Sequence, residues 1–203
     1  GVTNGIMTEV TNGLPNGFSI KKETTDVTST VNITTINAKT ENVPLPYEVI
    51  YKFGDSTTSE VATNVLKFAS TSNSAATVKL DQEFTATMNK YYRLAFWVKT
   101  ENIEKAAGMN FYLNVLNDKG EVSTVNQINE VNSANIGKDN DKYNGWQEVV
   151  FYVLGSTTTD TKYTIEMSFG RGNKFSDTLA KGNAYIYNIN LQEIDATAYS
   201  NAS

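Results

Sequence analysis

Apolar and polar residues alternate along most of this chain with the two-residue period of strands that bury one face and wet the other. The densest case lies at residues 90–99, where Tyr92, Leu94, Phe96 and Val98 form an apolar row that predicts a core face. The opposite row, Arg93, Ala95, Trp97 and Lys99, sets an indole between two cations. The same alternation predicts a strand at 78–84, where Lys79, Asp81 and Glu83 are all charged and must meet water. Another lies at 110–116, with Phe111, Leu113 and Val115 set against Asn110, Tyr112 and Asn114. Asn117-Asp118-Lys119-Gly120 then turns the chain into 122–128, a hairpin signature. Trp146, Glu148, Val150 and Tyr152 share one side of a strand at 146–154, and Val149, Phe151 and Val153 the other. Tyr163, Ile165, Met167 and Phe169 point inward from 163–169, and 184–194 closes the chain as a last strand.

Upstream the signal is looser. Residues 1–16 are a turn-rich entry with three Asn-Gly pairs, and 27–36 has β-branched strand composition until Val43-Pro44-Leu45-Pro46 breaks it. Tyr47, Val49, Tyr51 and Phe53 predict a half-buried strand, and 65–68 a shorter one. A short turn at 102–107 is the helical candidate, and 196–203 reads as an exit tail. Ten or eleven short strands at regular spacing predict an all-β protein, a β-sandwich of jelly-roll type, as one domain over 1–203.

Composition narrows the chemistry. Seventeen Lys and Arg against twenty-two Asp and Glu give a net charge of −5 without a basic cluster, which argues against nucleic acid as a partner. No apolar run is long enough to span a bilayer as a helix. Cysteine and histidine are both absent, which removes disulfides, thiolate metal sites, Ser-His-Asp triads and histidine-ligated zinc. The opening Gly1-Val2-Thr3 reads as the start of an excised piece of a larger protein.

The ordered phrases YYRLAFWVKT (91–100), GWQEVVFYV (145–153), YTIEMSFG (163–170) and GNAYIYNINL (182–191) resemble jelly-roll carbohydrate-binding modules found beside glycoside hydrolases and in bacterial surface proteins. The resemblance covers roughly the last two thirds of the chain. It implies a non-enzymatic, extracellular or cell-surface module that binds a polysaccharide or oligosaccharide, a plant glycan or starch. It also implies fusion to other domains of a larger, secreted Gram-positive protein. Many such modules carry paired Asp in the closing phrase at a structural calcium site; here that place reads Tyr187-Asn188. No cofactor is therefore indicated, and calcium stays open at Asp139, Asp141 or Asp195 without the acidic spacing of a dedicated loop.

Sugars are held by aromatic rings that stack on pyranose C–H faces and by planar polar groups that fix hydroxyls. The non-core rows supply Trp97, Tyr112, Tyr152, Arg93, Asn114 and Glu166, which line one face if their strands share a sheet. The competing reading packs Trp97 under a crossing loop and leaves Arg93 a solvated charge; Trp146 is expected in the core. An alternative loop-edge site comprises Tyr143, Asp141, Arg171 and Phe175. Two further functions stay in play. One is a structural or adhesive module. The other is a small β-sandwich glycosidase using Glu148 and Glu166, which would need carboxylates about 5–5.5 Å or 6.5–9.5 Å apart.

Overall fold

The computed structural model describes residues 2–22, 31–70, 78–104, 108–134, 142–169 and 181–202. Their strands are β1 (Val10–Thr11), β2 (Leu14–Pro15), β3 (Ser19–Lys22), β4 (Val31–Asn37), β5 (Val49–Tyr51), β6 (Glu60–Ala62), β7 (Asn64–Ser70), β8 (Val78–Ala86), β9 (Tyr91–Glu104), β10 (Met109–Leu116), β11 (Val122–Val131), β12 (Trp146–Leu154), β13 (Thr161–Phe169) and β14 (Lys181–Ile194). A short helix, α1 (Ala196–Ala202), follows.

Ten of the strands form two five-stranded antiparallel sheets. The front sheet runs β11-β10-β13-β8-β3 and the back sheet β12-β9-β14-β7-β4. From β7 onward the chain mostly crosses between them, which is the jelly-roll course. The alternating apolar rows face each other across the gap. Leu94, Phe96 and Val98 of β9 meet Phe111 and Leu113 of β10 and Ile165 and Met167 of β13 in one buried cluster. Ring contacts tie the sheets together, Phe96 to Phe111 at 4.9 Å and Phe68 to Phe169 at 6.3 Å.

A second core lies outside the sandwich. Residues 38–62, including the small β5–β6 hairpin, cross the outer face of the back sheet. There Ala38, Val43 and Ala62 bury Trp97, Trp146, Tyr185 and Tyr187. Polar bonds pin this strap. The Trp146 indole donates to the Pro44 carbonyl at 2.6 Å, and Asn144 Nδ2 donates to that of Leu45 at 2.7 Å. The Tyr187 hydroxyl accepts from the Val49 N–H at 3.2 Å and donates to the Ala62 carbonyl at 2.7 Å.

The sandwich agrees with the alternation, and three local readings change. The two large sheets hold ten strands, within the expected ten or eleven, and β1, β2, β5 and β6 add short pairings among the described residues. The strand expected over 47–53 contracts to Val49–Tyr51, since its one partner is β6. The helical turn expected at 102–107 is strand up to Glu104: Lys181 pairs with Glu104 and Asn183 with Glu101, and the register shift there accompanies a positive φ of 53° at Asn102. Residues 105–107 of that turn, and 27–30 of the early strand, lie outside the described residues. The exit tail is helical, with an N-cap in which the Asp195 carboxylate accepts from the Ala198 N–H at 2.7 Å.

The last strand contains a bulge. Tyr187 pairs with Trp97 but Asn190 with Ala95, so β14 carries one extra residue, and Asn188 takes φ 51°. Before it Ala184 and Ile186 face the main core; after it Ile189 and Leu191 do.

Candidate functional site

The six residues expected on one face are divided between two sheets. Tyr112 and Asn114 on β10 and Glu166 on β13 belong to the front sheet, whereas Arg93 and Trp97 on β9 and Tyr152 on β12 belong to the back sheet. All point away from the main core, so the two groups lie on opposite outer faces of the sandwich.

On the back sheet the strap decides the outcome. Trp97 is 8% exposed. Its ring packs against Tyr47 at 5.5 Å and against Tyr143, the described member of the loop-edge set, at 4.6 Å. Its surroundings are those of a core residue. Beyond the strap, Arg93 pairs with Glu148 at 2.7 Å and stands directly across from Tyr152, all partly exposed. Burial pulls the Arg93 guanidinium down, but hydrogen bonds to Glu148 and Tyr152 outweigh it and hold the group above its usual value. Asp139, Asp141, Arg171 and Phe175 lie outside the described residues.

The front sheet has a different outer face. Its register places Gln127, Tyr112, Glu166, Asp81 and Ser19 in one row across five strands. Asn114 is 1% exposed and both ends of its amide are used: Nδ2 donates to Glu166 Oε1 at 2.6 Å, and Oδ1 accepts from the Thr124 hydroxyl at 2.7 Å. Asn114 therefore orients Glu166 instead of reaching solvent. Glu166 Oε2 meets Lys79 Nζ at 3.1 Å, and the same ammonium lies 5.5 Å above the half-buried ring of Tyr112. Lys21 pairs with Asp81 at 3.0 Å and is raised above its ordinary value, chiefly by that hydrogen bond. The result is one half-buried ring with Lys79 over it and Glu166 beside it on the next strand, followed one strand further along the row by the pair Lys21–Asp81. Lys79, Asp81 and Lys21 were not among the expected site residues. Their signal in the sequence is the charged alternation at 79, 81 and 83, which marks a polar face but not the aromatic residue that shares it.

Tyr187-Asn188, where the resemblance would set a calcium pair, lies at the bulge. Asn188 Nδ2 donates to the Tyr47 hydroxyl at 2.8 Å, and the Ile189 N–H bonds to the Gly5 carbonyl at 3.0 Å. Among the described residues no group of three or more acidic side chains is placed to hold a metal ion.

No family model matches the sequence, and no curated protein is similar to it. Solved structures are similar to it in fold. The enzymatically active domain of tailspike protein 4 of bacteriophage CBA120 superposes with a TM-score of 0.52 at 14% identity, over 94% of this chain and 22% of that one. The carbohydrate-binding module TmCBM61 in complex with β-1,4-galactotriose gives 0.47 at 13%, over 88% and 90% of the two chains. A family 11 carbohydrate-binding module of a Clostridium thermocellum cellulosomal cellulase gives 0.44 at 9%, over 93% and 92%.

Proposed function

We propose that this chain is a non-catalytic module that holds a polysaccharide or oligosaccharide against the outer face of the front sheet. The observation that carries this reading is a braced polar set beside one half-buried ring: Lys79 lies over Tyr112 and pairs with Glu166, Asn114 is buried beneath as a brace, and Asp81, itself 8% exposed, continues the row. Tyr112 offers an apolar surface to a pyranose ring, Glu166 accepts its hydroxyl protons, and Lys79 and Lys21 donate to its oxygens. A shallow face with one ring leaves much of a sugar hydrated, so affinity is modest. Opposite charges on the face balance, which suits a neutral glycan such as starch or a plant polysaccharide. In this reading the module serves a larger secreted or surface protein by keeping it on its substrate.

A glycosidase built on Glu148 and Glu166 is disfavoured, because the two carboxylates lie on opposite outer faces and cannot flank one linkage. A structural or adhesive module remains a second reading because Ile50 and Phe53 are exposed on the strap.

The test is retention on insoluble starch, cellulose, xylan and galactan. Tyr112→Ala and Glu166→Gln should each lose retention while the thermal midpoint stays near wild type, since neither side chain belongs to a core cluster. Retention that survives both changes overturns the front-face site. A blank result on every polysaccharide, with a protein captured through Ile50 and Phe53, turns the reading to adhesion.

A further inference from the structure

The two sheets are not sealed along one edge. β11 and β12 are the terminal strands of their sheets, and between them a cavity of about 470 Å³ opens. That volume lies within the range of small-molecule sites, roughly 300–1,000 Å³. Its floor is the main core itself, where Leu113, Val153 and Tyr163 are nearly or fully buried. The Tyr163 hydroxyl is spent on the Leu154 carbonyl at 2.6 Å, so this residue presents its ring.

The rim is shaped by an irregularity. Leu113 pairs with Asn126 but Asn114 with Thr124, which leaves Val125 without a partner on β10. Bulges of this kind re-aim side chains. Here Val125 and Asn126 both line the cavity. Val125 is 54% exposed, an apolar side chain at the mouth that packs into neither buried cluster. The far side is closed by α1, seated through Tyr199 against Tyr91 at 5.0 Å, so that Tyr199 joins Tyr152 at the rim.

We propose that this edge cavity is a separate binding site for a small phenolic ring: an apolar body that enters between the sheets, with its hydroxyl held at the rim by Asn126 or Tyr199. The chemistry selects against a free sugar. A pyranose carries hydroxyls around its whole edge, and the valine and leucine walls would strip their water without supplying partners. A phenol joins one polar group to an apolar body, which matches a lining of six valines and leucines with three tyrosines and Asn126. This site does not depend on the front-face reading.

The experiment is a titration of the full chain with 4-methylphenol, followed by methyl and amide NMR, with glucose as the counter-probe. Saturable shifts at Val125, Val150 and Leu154, absent at Tyr112, are expected, and Val125→Trp should fill the mouth and weaken binding about tenfold or more. Tyr199→Ala, which removes a rim residue from an exposed helix, should weaken it as well. No saturation, binding unchanged in both variants, shifts centred on Tyr112, or glucose reproducing the same shifts would each overturn the proposal.

Discussion

Replacing Trp97 by alanine separates a structural indole from a ligand-stacking one. The side chain is 8% exposed and touches both Tyr47 and Tyr143. A buried tryptophan removes roughly 150–250 Å² from water. At about 25 cal/mol per Å², this corresponds to about 4–6 kcal/mol of transfer free energy. The extended-chain reference inflates that figure and a residual cavity adds to it; Trp→Ala substitutions in cores cost about 3–5 kcal/mol. For a chain of this length each kcal/mol lowers the midpoint by about 2–4 °C, so a loss near 4 kcal/mol predicts a fall of about 8–16 °C. Urea unfolding followed by the fluorescence of Trp146, together with a thermal scan, reads this directly. Glycan retention by the folded fraction should persist, because Trp97 lies on the opposite sheet from Tyr112. A midpoint within a degree or two of wild type, combined with lost retention, would refute the reasoning and make Trp97 the stacking ring.

Two other measurements bear on the packing. Burial pushes the hydroxyls of Tyr163, Tyr185 and Tyr187 above their usual range, with Glu101 adding to the effect at Tyr185. A raised folded value means that the folded state holds the proton longer. The stability these groups contribute is therefore intact below about pH 10 and is lost as pH rises beyond it; Tyr187→Phe should flatten the alkaline slope in equilibrium unfolding, and an unchanged slope would contradict the burial. Gly155→Ala places a Cβ onto the carbonyl oxygen of Thr87, with backbone on both sides unable to yield, and should cost about 1–3 kcal/mol or more in a denaturant titration.

The sequence alone carries more of the sandwich than of the site, for a physical reason. Alternation tells which residues share a face of their own strand, and Leu94, Phe96, Phe111 and Ile165 were assigned inward on that basis. It does not tell which strands are neighbours. Trp97 and Tyr112 follow the same local rule, yet one is sealed under residues 38–62 and the other stands beside Lys79. What separates them is a segment more than thirty residues upstream of Trp97, whose one alternating stretch, 47–53, reads as a strand without saying which face it covers. The bulges at Val125 and Asn188 were equally hidden, since one extra residue leaves each half of a strand with a regular pattern.

The bulge in the last strand also sets which changes of length this domain can inherit. Upstream of Asn188 the large aromatic residues serve the strap and the small or aliphatic ones the sandwich; downstream the parity is reversed. Deleting that one asparagine would remove the bulge and leave Ala184, Ile186, Ile189 and Leu191 in unbroken alternation toward the main core, at the cost of its bond to Tyr47, whereas one more residue in the strand would turn part of it over. The strand β14 can therefore shed its bulge residue but cannot gain a second. Descendants of this chain should vary in loop length and, between Ala184 and Leu191, should lose Asn188 sooner than they add a residue.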